Sequence, residues 1–317
     1  MGTQLNTPKG AELSRTGVYI KLALVAAIWG STFVAGRVVS AEMSAPFAAL
    51  GRFLIATVTL LLLLLVIERG FPKLSARQWL LFVLLGAIGV AAYALLYMYA
   101  LQTVTASRGS LIMALIPAGT LLGGAMFLHE PLTRPRILGV ALALLGVAVD
   151  LGNGNPLALV TDPIGRGEVA MFGCVVAWTG YTLLGKRVMG GGISPLAATT
   201  CSALTGTAIL AVVCAFAGDL ALPLASWKGW LALAFMGVLG TALAYVWFYD
   251  GVKVIGPART AVFINLVPVV AITLGVLLLG EELHASMIIG AALVITGVWI
   301  INRSPAPAVP ANATRTR

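Results

Sequence analysis

The sequence consists largely of continuous apolar runs of about 20 residues, separated by short polar segments. A helix of that length crosses the hydrocarbon core of a bilayer, and only helices or closed barrels satisfy every backbone group there. The runs lack the period-two alternation of barrel strands. Charged residues make up 10% of the chain, whereas soluble domains carry about 25%. The chain is therefore predicted to be an all-α integral membrane protein.

We predict ten transmembrane helices from these runs. They cover residues 17–37, 45–67, 77–101, 105–128, 135–151, 167–186, 194–216, 227–249, 258–280 and 285–302. If the N-terminus is cytoplasmic, most of the 20 basic residues lie on the cytoplasmic side of these helices. The exceptions are Arg37, Arg108, Arg166 and Lys228 on the opposite side and Arg52 within a helix. The positive-inside rule therefore predicts that both termini are cytoplasmic, and the net charge of +9 needs no nucleic-acid partner.

The chain matches itself at a nearly constant offset. An offset of 149 residues and, after a short insertion, of 151 residues aligns Trp29 with Trp178, Pro46 with Pro195, Trp79 with Trp230, Arg108 with Arg259, Pro117 with Pro268 and Glu130 with Glu281. We predict a first five-helix repeat at 17–151, a linker at 152–164 and a second repeat at 165–302. A cytoplasmic tail (1–16) precedes them, and a Pro/Ala-rich tail (303–317) is predicted to be disordered.

Five helices per repeat is an odd number, so the second repeat starts on the opposite side of the membrane from the first. Such inverted repeats are a recurring design of transporters, which hold substrate near mid-membrane between the repeats. The alternative is that duplication gave a larger bundle without a transport role.

The repeated motifs resemble the drug/metabolite transporter superfamily, and specifically its ten-helix EamA family. The resemblance rests on the segment 26–33 (AAIWGSTF) with Arg37, on Arg108-x8-Pro117-x12-Glu130 with Gly139 and Gly146, and on Arg259-x8-Pro268-x12-Glu281 with Gly290 and Gly297. The second copy departs at Thr179-Gly180-Tyr181, which replaces Gly30-Ser31-Thr32. The resemblance implies a bacterial inner-membrane exporter or exchanger of amino acids, other small metabolites or drugs.

The candidate substrate-binding residues are polar or aromatic side chains at membrane depth. They are Trp29, Ser31, Thr32, Arg52, Tyr93, Tyr97, Trp178, Tyr181, Tyr245 and Asn265. Two tryptophans near mid-depth are unusual, since tryptophan prefers the membrane interfaces; they either line a cavity or pack between helices. Tyrosines spaced i, i+4 share one helix face, with the same two alternatives. An intramembrane arginine is costly, and Arg52 either meets a substrate carboxylate or extends to the interface.

Pro117 and Pro268 lie near the middle of their predicted helices. Proline removes a backbone donor and clashes with the preceding turn, so a kink is expected at each. The recurrence in both repeats favours a hinge over a proline that is merely tolerated.

We predict a secondary transporter that exports or exchanges amino acids or related zwitterionic metabolites by alternating access; the alternatives are a multidrug efflux carrier and a channel. No carboxylate falls at mid-membrane, which favours a neutral or zwitterionic substrate. No catalytic constellation, metal-binding motif or ATP-binding motif is present, so neither enzymatic activity nor a cofactor is predicted. The expected partners are a small-molecule substrate, the lipid bilayer and an ion gradient such as that of protons, and a monomer should suffice.

Overall fold

The computed structural model describes residues 15–161, 164–189 and 193–303, and these ranges contain helices and no strand. The predicted tails fall mostly outside them. The long helices are α1 Arg15–Glu42, α2 Ala45–Glu68, α3 Ala76–Ala100, α4 Ala106–Leu128, α5 Arg134–Leu151, α6 Arg166–Met189, α7 Pro195–Phe216, α8 Trp227–Ile255, α9 Pro257–Ile264 with Leu266–Leu279, and α10 Ala285–Arg303. The chain is thus an all-α integral membrane protein, as predicted. Helix α1 was predicted to end at Arg37, but it continues through Arg37 and ends five residues later, at Glu42.

Within the described ranges, nine of these helices are long and apolar enough to cross a membrane. Ten membrane-crossing helices were predicted from the sequence. The helix that is not among the nine is α5. Helix α5 carries Arg134 and Arg136 in its first turn and Asp150 in its last turn, which lowers its apolar content. It nevertheless packs along α10, which is one of the nine.

The same local chemistry starts corresponding helices of the two repeats. Ser44 and Ser194 are the N-caps of α2 and α7, and each side chain accepts a hydrogen bond from a backbone N–H in the first turn. Ser75 and Ser226 do the same for α3 and α8. Serine caps supply an acceptor to otherwise unpaired N–H groups, and the proline beside two of these caps fits a first helical turn. Duplicated caps therefore fix the helix boundaries in both halves.

Helices α5 and α10 touch through backbone atoms at two points. A Cβ atom added to Gly139 would lie 2.6 Å from the carbonyl oxygen of Gly297. At the second point, a Cβ atom on Gly146 would lie 2.6 Å from the carbonyl oxygen of Gly290. Small residues allow membrane helices to pack this closely, since lipid supplies no hydrophobic force between them. The order of the contacts shows that the two helices run antiparallel.

Four helices depart from regular α-helix, in two equivalent pairs. Helix α4 breaks between Met113 and Ile116, and α9 breaks at Asn265, so each interruption lies just before the predicted hinge proline. The expected distortion at these prolines is therefore present. Helices α3 and α8 contain π-helical segments at Gly86–Ala92 and Val238–Leu243. These π-helical segments were not predicted from the sequence.

The two ends of the bundle differ in how they are closed. We call the end where α1 begins the terminal side; there Tyr19 of α1 stacks on Phe263 of α9 at 6.0 Å. At the far side, where α1 ends, Nη1 of Arg37 donates to the carbonyl of Leu101 at 2.6 Å. Further far-side contacts join Glu42 to the backbone N–H of Ser226, Glu281 to the start of α4, and Arg108 to Asp150 and Glu168. The contacts of Glu42, of Glu281 and of Arg108 with Glu168 join the two repeats at the far side.

The backbone contact of α5 with α10 makes Gly297→Ala a sharp test of the packing. The new Cβ atom would lie 2.4 Å from the carbonyl oxygen of Gly139 and 2.7 Å from the backbone nitrogen of Ala143, and backbone atoms cannot rotate away. We expect a loss of about 1–3 kcal/mol, as for other overpacked sites. Thermal stability in detergent, measured by fluorescence-detected size-exclusion chromatography, reports this loss.

Gly70→Ala is the matched control, because a Cβ atom there would have nothing within 4 Å. Equal melting temperatures for Gly297→Ala and Gly70→Ala would contradict the close contact.

Candidate substrate cavity

A central cavity of about 710 Å³ lies between the two repeats. Its wall combines aromatic rings with a few polar groups drawn from both halves of the chain. The principal members are Trp29, Arg52, Tyr93, Tyr97, Pro117, Glu130, Trp178, Tyr181, Thr241, Tyr245, Asn265 and Pro268. Pockets for small molecules range from about 300 to 1,000 Å³ and are mostly apolar with few polar groups, so this cavity suits a metabolite.

The cavity extends from the middle of the bundle to the terminal side. Asn302 in the last turn of α10 and Ala261 in the first turns of α9 line it, as does Glu130 at the end of α4. The far-side residues Arg37 and Leu101 are absent from the described lining. The cavity therefore ends before the far side, where the contacts described above close the bundle.

Arg52 places a buried positive charge on the cavity wall. The residue is 7% exposed, and its Nε and Nη2 atoms lie 3.4 Å from the hydroxyl of Thr241. Its guanidinium carbon lies 5.4 Å from the ring centres of Phe53 and Tyr97, within cation–π range. In the described part of the chain its Nη1 atom has no hydrogen-bond partner, and no carboxylate forms an ion pair with it. A buried cation without an anion is costly, so an anionic group of a ligand would be stabilised here.

A chain of aromatic rings runs across the cavity from one repeat to the other. The ring of Tyr245 contacts both tryptophans, at 5.8 Å from Trp29 and 6.1 Å from Trp178. Trp178 continues to Tyr93 at 5.3 Å, and Tyr93 stacks on Tyr97 at 5.8 Å. Both alternatives left open by the sequence hold here, because these rings pack between helices and also line the cavity. Their faces can receive a cationic or apolar part of a ligand.

The π-helical segment of α8 supplies two polar contacts to the cavity. The indole Nε1 of Trp29 donates to the carbonyl of Gly240 at 3.0 Å, and the hydroxyl of Thr241 donates to the carbonyl of Met236 at 3.0 Å. π-Helical turns shift the backbone hydrogen-bond pattern and are frequent at functional sites. This segment therefore orients Thr241 toward Arg52 and holds Trp29 against α8.

The structure brings together almost all of the predicted site residues. Trp29, Thr32, Arg52, Tyr93, Tyr97, Trp178, Tyr181, Tyr245 and Asn265 line the cavity, and so do Pro117 and Pro268. Ser31 does not; its hydroxyl donates to the carbonyl of Ala27 in its own helix at 2.8 Å. A rotation of about 100° per residue puts Ser31 on the side of α1 opposite Trp29, whereas Thr32 returns to the same side.

Sequence reasoning missed several lining residues, including Phe248, Thr241 and Glu130. Phe248 and Thr241 share helix α8 with Tyr245, so a search of that helix face would have found Phe248. The repeated pairs of glycines, Gly86 with Gly89 and Gly237 with Gly240, were the signal for the π-helical segments. Glu130 was assigned to a helix end, and it lies at the cavity mouth.

A helical membrane bundle with a central cavity open toward one end is the arrangement expected of a membrane transporter. The EamA-like transporter family matches residues 17–150 of the chain and matches again at residues 165–303. The chain therefore belongs to the EamA-like transporter family, within the drug/metabolite transporter superfamily.

Curated relatives are similar over nearly their whole length. An uncharacterized transporter of Bacillus subtilis (strain 168), YyaM, is 31% identical over 90% of this chain and 93% of the relative. A protein of Streptantibioticus cattleyicolor named "Probable terminal-alkyne amino-acid exporter" is 28% identical over 89% of this chain and 92% of its own. A solved crystal structure of a protein shares the fold with a TM-score of 0.62 at 20% identity, over 90% of this chain and 96% of the other.

The bond from Trp29 to Gly240 can be tested with Trp29→Phe, which keeps an aromatic ring and removes the N–H donor. The loss of one buried hydrogen bond should destabilise the fold by about 1 kcal/mol. Trp178→Phe is the matched control, because the described residues give its indole nitrogen no such bond. Thermal melting of both variants in detergent checks this, and a larger loss for Trp178→Phe would contradict it.

Proposed function

We propose that this protein carries amino acids or related zwitterionic metabolites across the membrane, binding them in the central cavity. The observation that carries the proposal is the buried guanidinium of Arg52, which faces the cavity with an unpartnered Nη1 atom and no carboxylate paired with it in the described chain. A substrate carboxylate would supply the missing negative charge and acceptors, and the hydroxyl of Thr241 lies beside it.

The remainder of an amino acid would meet the aromatic part of the cavity. Rings of Trp29, Trp178 and Tyr245 surround the space, and aromatic faces attract both an ammonium group and apolar side chains. The name of the Streptantibioticus relative, probable terminal-alkyne amino-acid exporter, supports the same substrate class. The aromatic walls would also accept flat apolar drugs, which makes multidrug efflux the second candidate.

Alternating access is supported by the way the two repeats meet. At the offset of 151 residues, Gly139 is equivalent to Gly290 and Gly146 is equivalent to Gly297. The contact of Gly139 with Gly297 is therefore equivalent to the contact of Gly290 with Gly146, so the repeat exchanges the two contacts. A two-fold axis between antiparallel helices would produce this exchange, and such an axis lies in the membrane plane. We infer that the repeats are inverted, that α5 also spans the membrane, and that the halves exchange shapes to open each side in turn.

The basic residues support an orientation with the terminal side in the cytoplasm of a bacterial inner membrane. In that orientation the cavity opens inward, where an exporter collects its substrate. The energy would come from an ion or substrate gradient.

The proposed carboxylate site predicts the effect of changing Arg52. Purified protein is first screened for thermal stabilisation by the twenty common amino acids, and the strongest ligand is then used in proteoliposome counterflow. Arg52→Gln should reduce affinity for that ligand by about tenfold to a hundredfold, since a charge-assisted hydrogen bond is worth about 1.5–3 kcal/mol. Ser31→Ala is the control, because Ser31 lies near the site and outside its lining.

Unchanged affinity in Arg52→Gln would overturn the carboxylate site. Stabilisation and exchange with aromatic cations instead of amino acids would favour drug efflux. Conductance without trans-stimulation would indicate a channel.

The two prolines are proposed hinges, because the helix breaks just before them face the cavity. Pro117→Ala and Pro268→Ala restore a backbone donor and favour a straighter helix. Each should reduce the counterflow rate several-fold while leaving the amount of folded protein in the membrane unchanged. Pro46→Ala, in the first turn of α2, is a matched control because proline is tolerated at a helix start. Normal rates in both hinge variants would contradict this role.

A further inference from the structure

The seal on the far side is centred on Glu281, which lies at the end of α9 and caps α4. Its carboxylate accepts hydrogen bonds from the backbone N–H groups of Ala106 at 2.6 Å and Ser107 at 3.0 Å, and from the hydroxyl of Ser107. A carboxylate at a helix start is also favoured by the positive end of the helix dipole. Because α4 and α9 belong to different repeats, the far side can open only if these bonds break.

Glu130 is the equivalent glutamate of the first repeat, and its local geometry is the same. The backbone N–H of Glu281 donates to the carbonyl of Gly275 at 3.1 Å, and that of Glu130 donates to the carbonyl of Gly124 at 3.2 Å. Both carboxylates lie over these glycines, since an added Cβ atom would be 2.5 Å from an oxygen of Glu281 and 2.8 Å from one of Glu130. The offset of 151 residues relates both the glutamates and the glycines.

The helix start that Glu130 would cap has a different sequence. Thr105, Ala106 and Ser107 begin α4, whereas the equivalent positions at the start of α9 are Gly256, Pro257 and Ala258. Proline has no backbone N–H and alanine has no hydroxyl, so one of the three donors that hold Glu281 remains. In this structure Glu130 lines the cavity at the open, terminal side.

We propose that Glu281 with the start of α4 and Glu130 with the start of α9 are two equivalent gates of unequal strength. The weaker terminal-side gate makes the carrier rest with its cavity open to the terminal side. This inference rests on the alternating access proposed above. In this proposal the residues at positions 107, 257 and 258 determine which side is open at rest. None of these three residues is proposed to bind substrate.

Distances between spin labels can measure the two states without substrate. One label pair, Gln102→Cys with Glu282→Cys, reports on the far side, and the pair equivalent by the repeat, Pro131→Cys with Lys253→Cys, reports on the terminal side. All four positions are exposed. The native Cys174, Cys201 and Cys214 are buried and would be replaced by alanine.

Ser107→Ala and Glu281→Gln should each increase the far-side-open population about tenfold, because each removes a charge-assisted interaction from the stronger gate. The double variant Pro257→Ala/Ala258→Ser should increase the same population by restoring donors to the weaker gate. Adding Glu130→Gln to this double variant should cancel that gain, since the restored donors act through the carboxylate.

The inference is overturned if neither weakening variant populates the far-side-open state in folded, monodisperse protein. It is also overturned if the restored donors have no effect, or if their effect persists without the Glu130 carboxylate. These outcomes are independent of transport. If the populations shift but amino acids are not exchanged, the proposed substrate is overturned and the gates are supported. If amino acids are exchanged normally but the populations do not shift, the gates are overturned and the proposed substrate is supported.

Discussion

Inside a lipid bilayer the backbone must satisfy its own hydrogen bonds, and the rest of this structure depends on that constraint. Regular helix can face lipid, whereas a break or a π-helical turn leaves polar groups that need other partners. The irregular segments of α4, α8 and α9 contribute residues to the cavity wall, and the α3 segment is flanked by two lining residues, Leu85 and Tyr93. There the indole of Trp29 donates to the carbonyl of Gly240 within the α8 segment, and the hydroxyl of Thr241 donates to the carbonyl of Met236 just before it. The same constraint thus concentrates backbone irregularity and polar side chains in one place.

The two repeats share a scaffold and differ at the positions that matter for chemistry. Serine caps, prolines beside the helix breaks, glycine contacts and glutamates after α4 and α9 occur in both halves. By contrast, Arg52 corresponds to Cys201, and Thr32 corresponds to Tyr181. Thr32 and Tyr181 contact equivalent glycines of the π-helical segments, Gly240 and Gly89. The two repeats therefore share their helix ends and breaks but line the cavity with different residues, and one repeat alone contributes Arg52.

The sequence was sufficient to predict the all-α membrane fold, and all but one of the ten predicted substrate-binding residues line the cavity. The sequence identified the two tryptophans and the tyrosine pairs because aromatic side chains with a polar group usually lie at the membrane interfaces and not at mid-membrane depth. It identified Arg52 because burying a charge in the membrane is costly. Ser31 was predicted to bind substrate but does not line the cavity. A serine hydroxyl in a helix can donate to a backbone carbonyl one turn earlier, so the residue type does not show which helix face the serine occupies. The position of Glu130 at the cavity mouth depends on packing between distant parts of the chain, and the π-helical segments are marked in the sequence by the repeated pairs of glycines alone. Helix α5 differs from the nine apolar helices because three of its 18 residues, Arg134, Arg136 and Asp150, are ionisable.

The glycine contacts between α5 and α10 have a consequence for how the chain can evolve. If the repeats are related by the two-fold axis inferred above, each copy of this surface meets the other copy, as in a symmetric homodimer. A larger residue at Gly139 would press on Gly297, and its counterpart at Gly290 would press on Gly146. Duplicated genes usually free one copy to drift, but here neither copy of the surface is free, because each is the other's binding partner. The cavity faces no such restriction, so new substrate preferences can arise in one repeat while the axis between the repeats stays fixed.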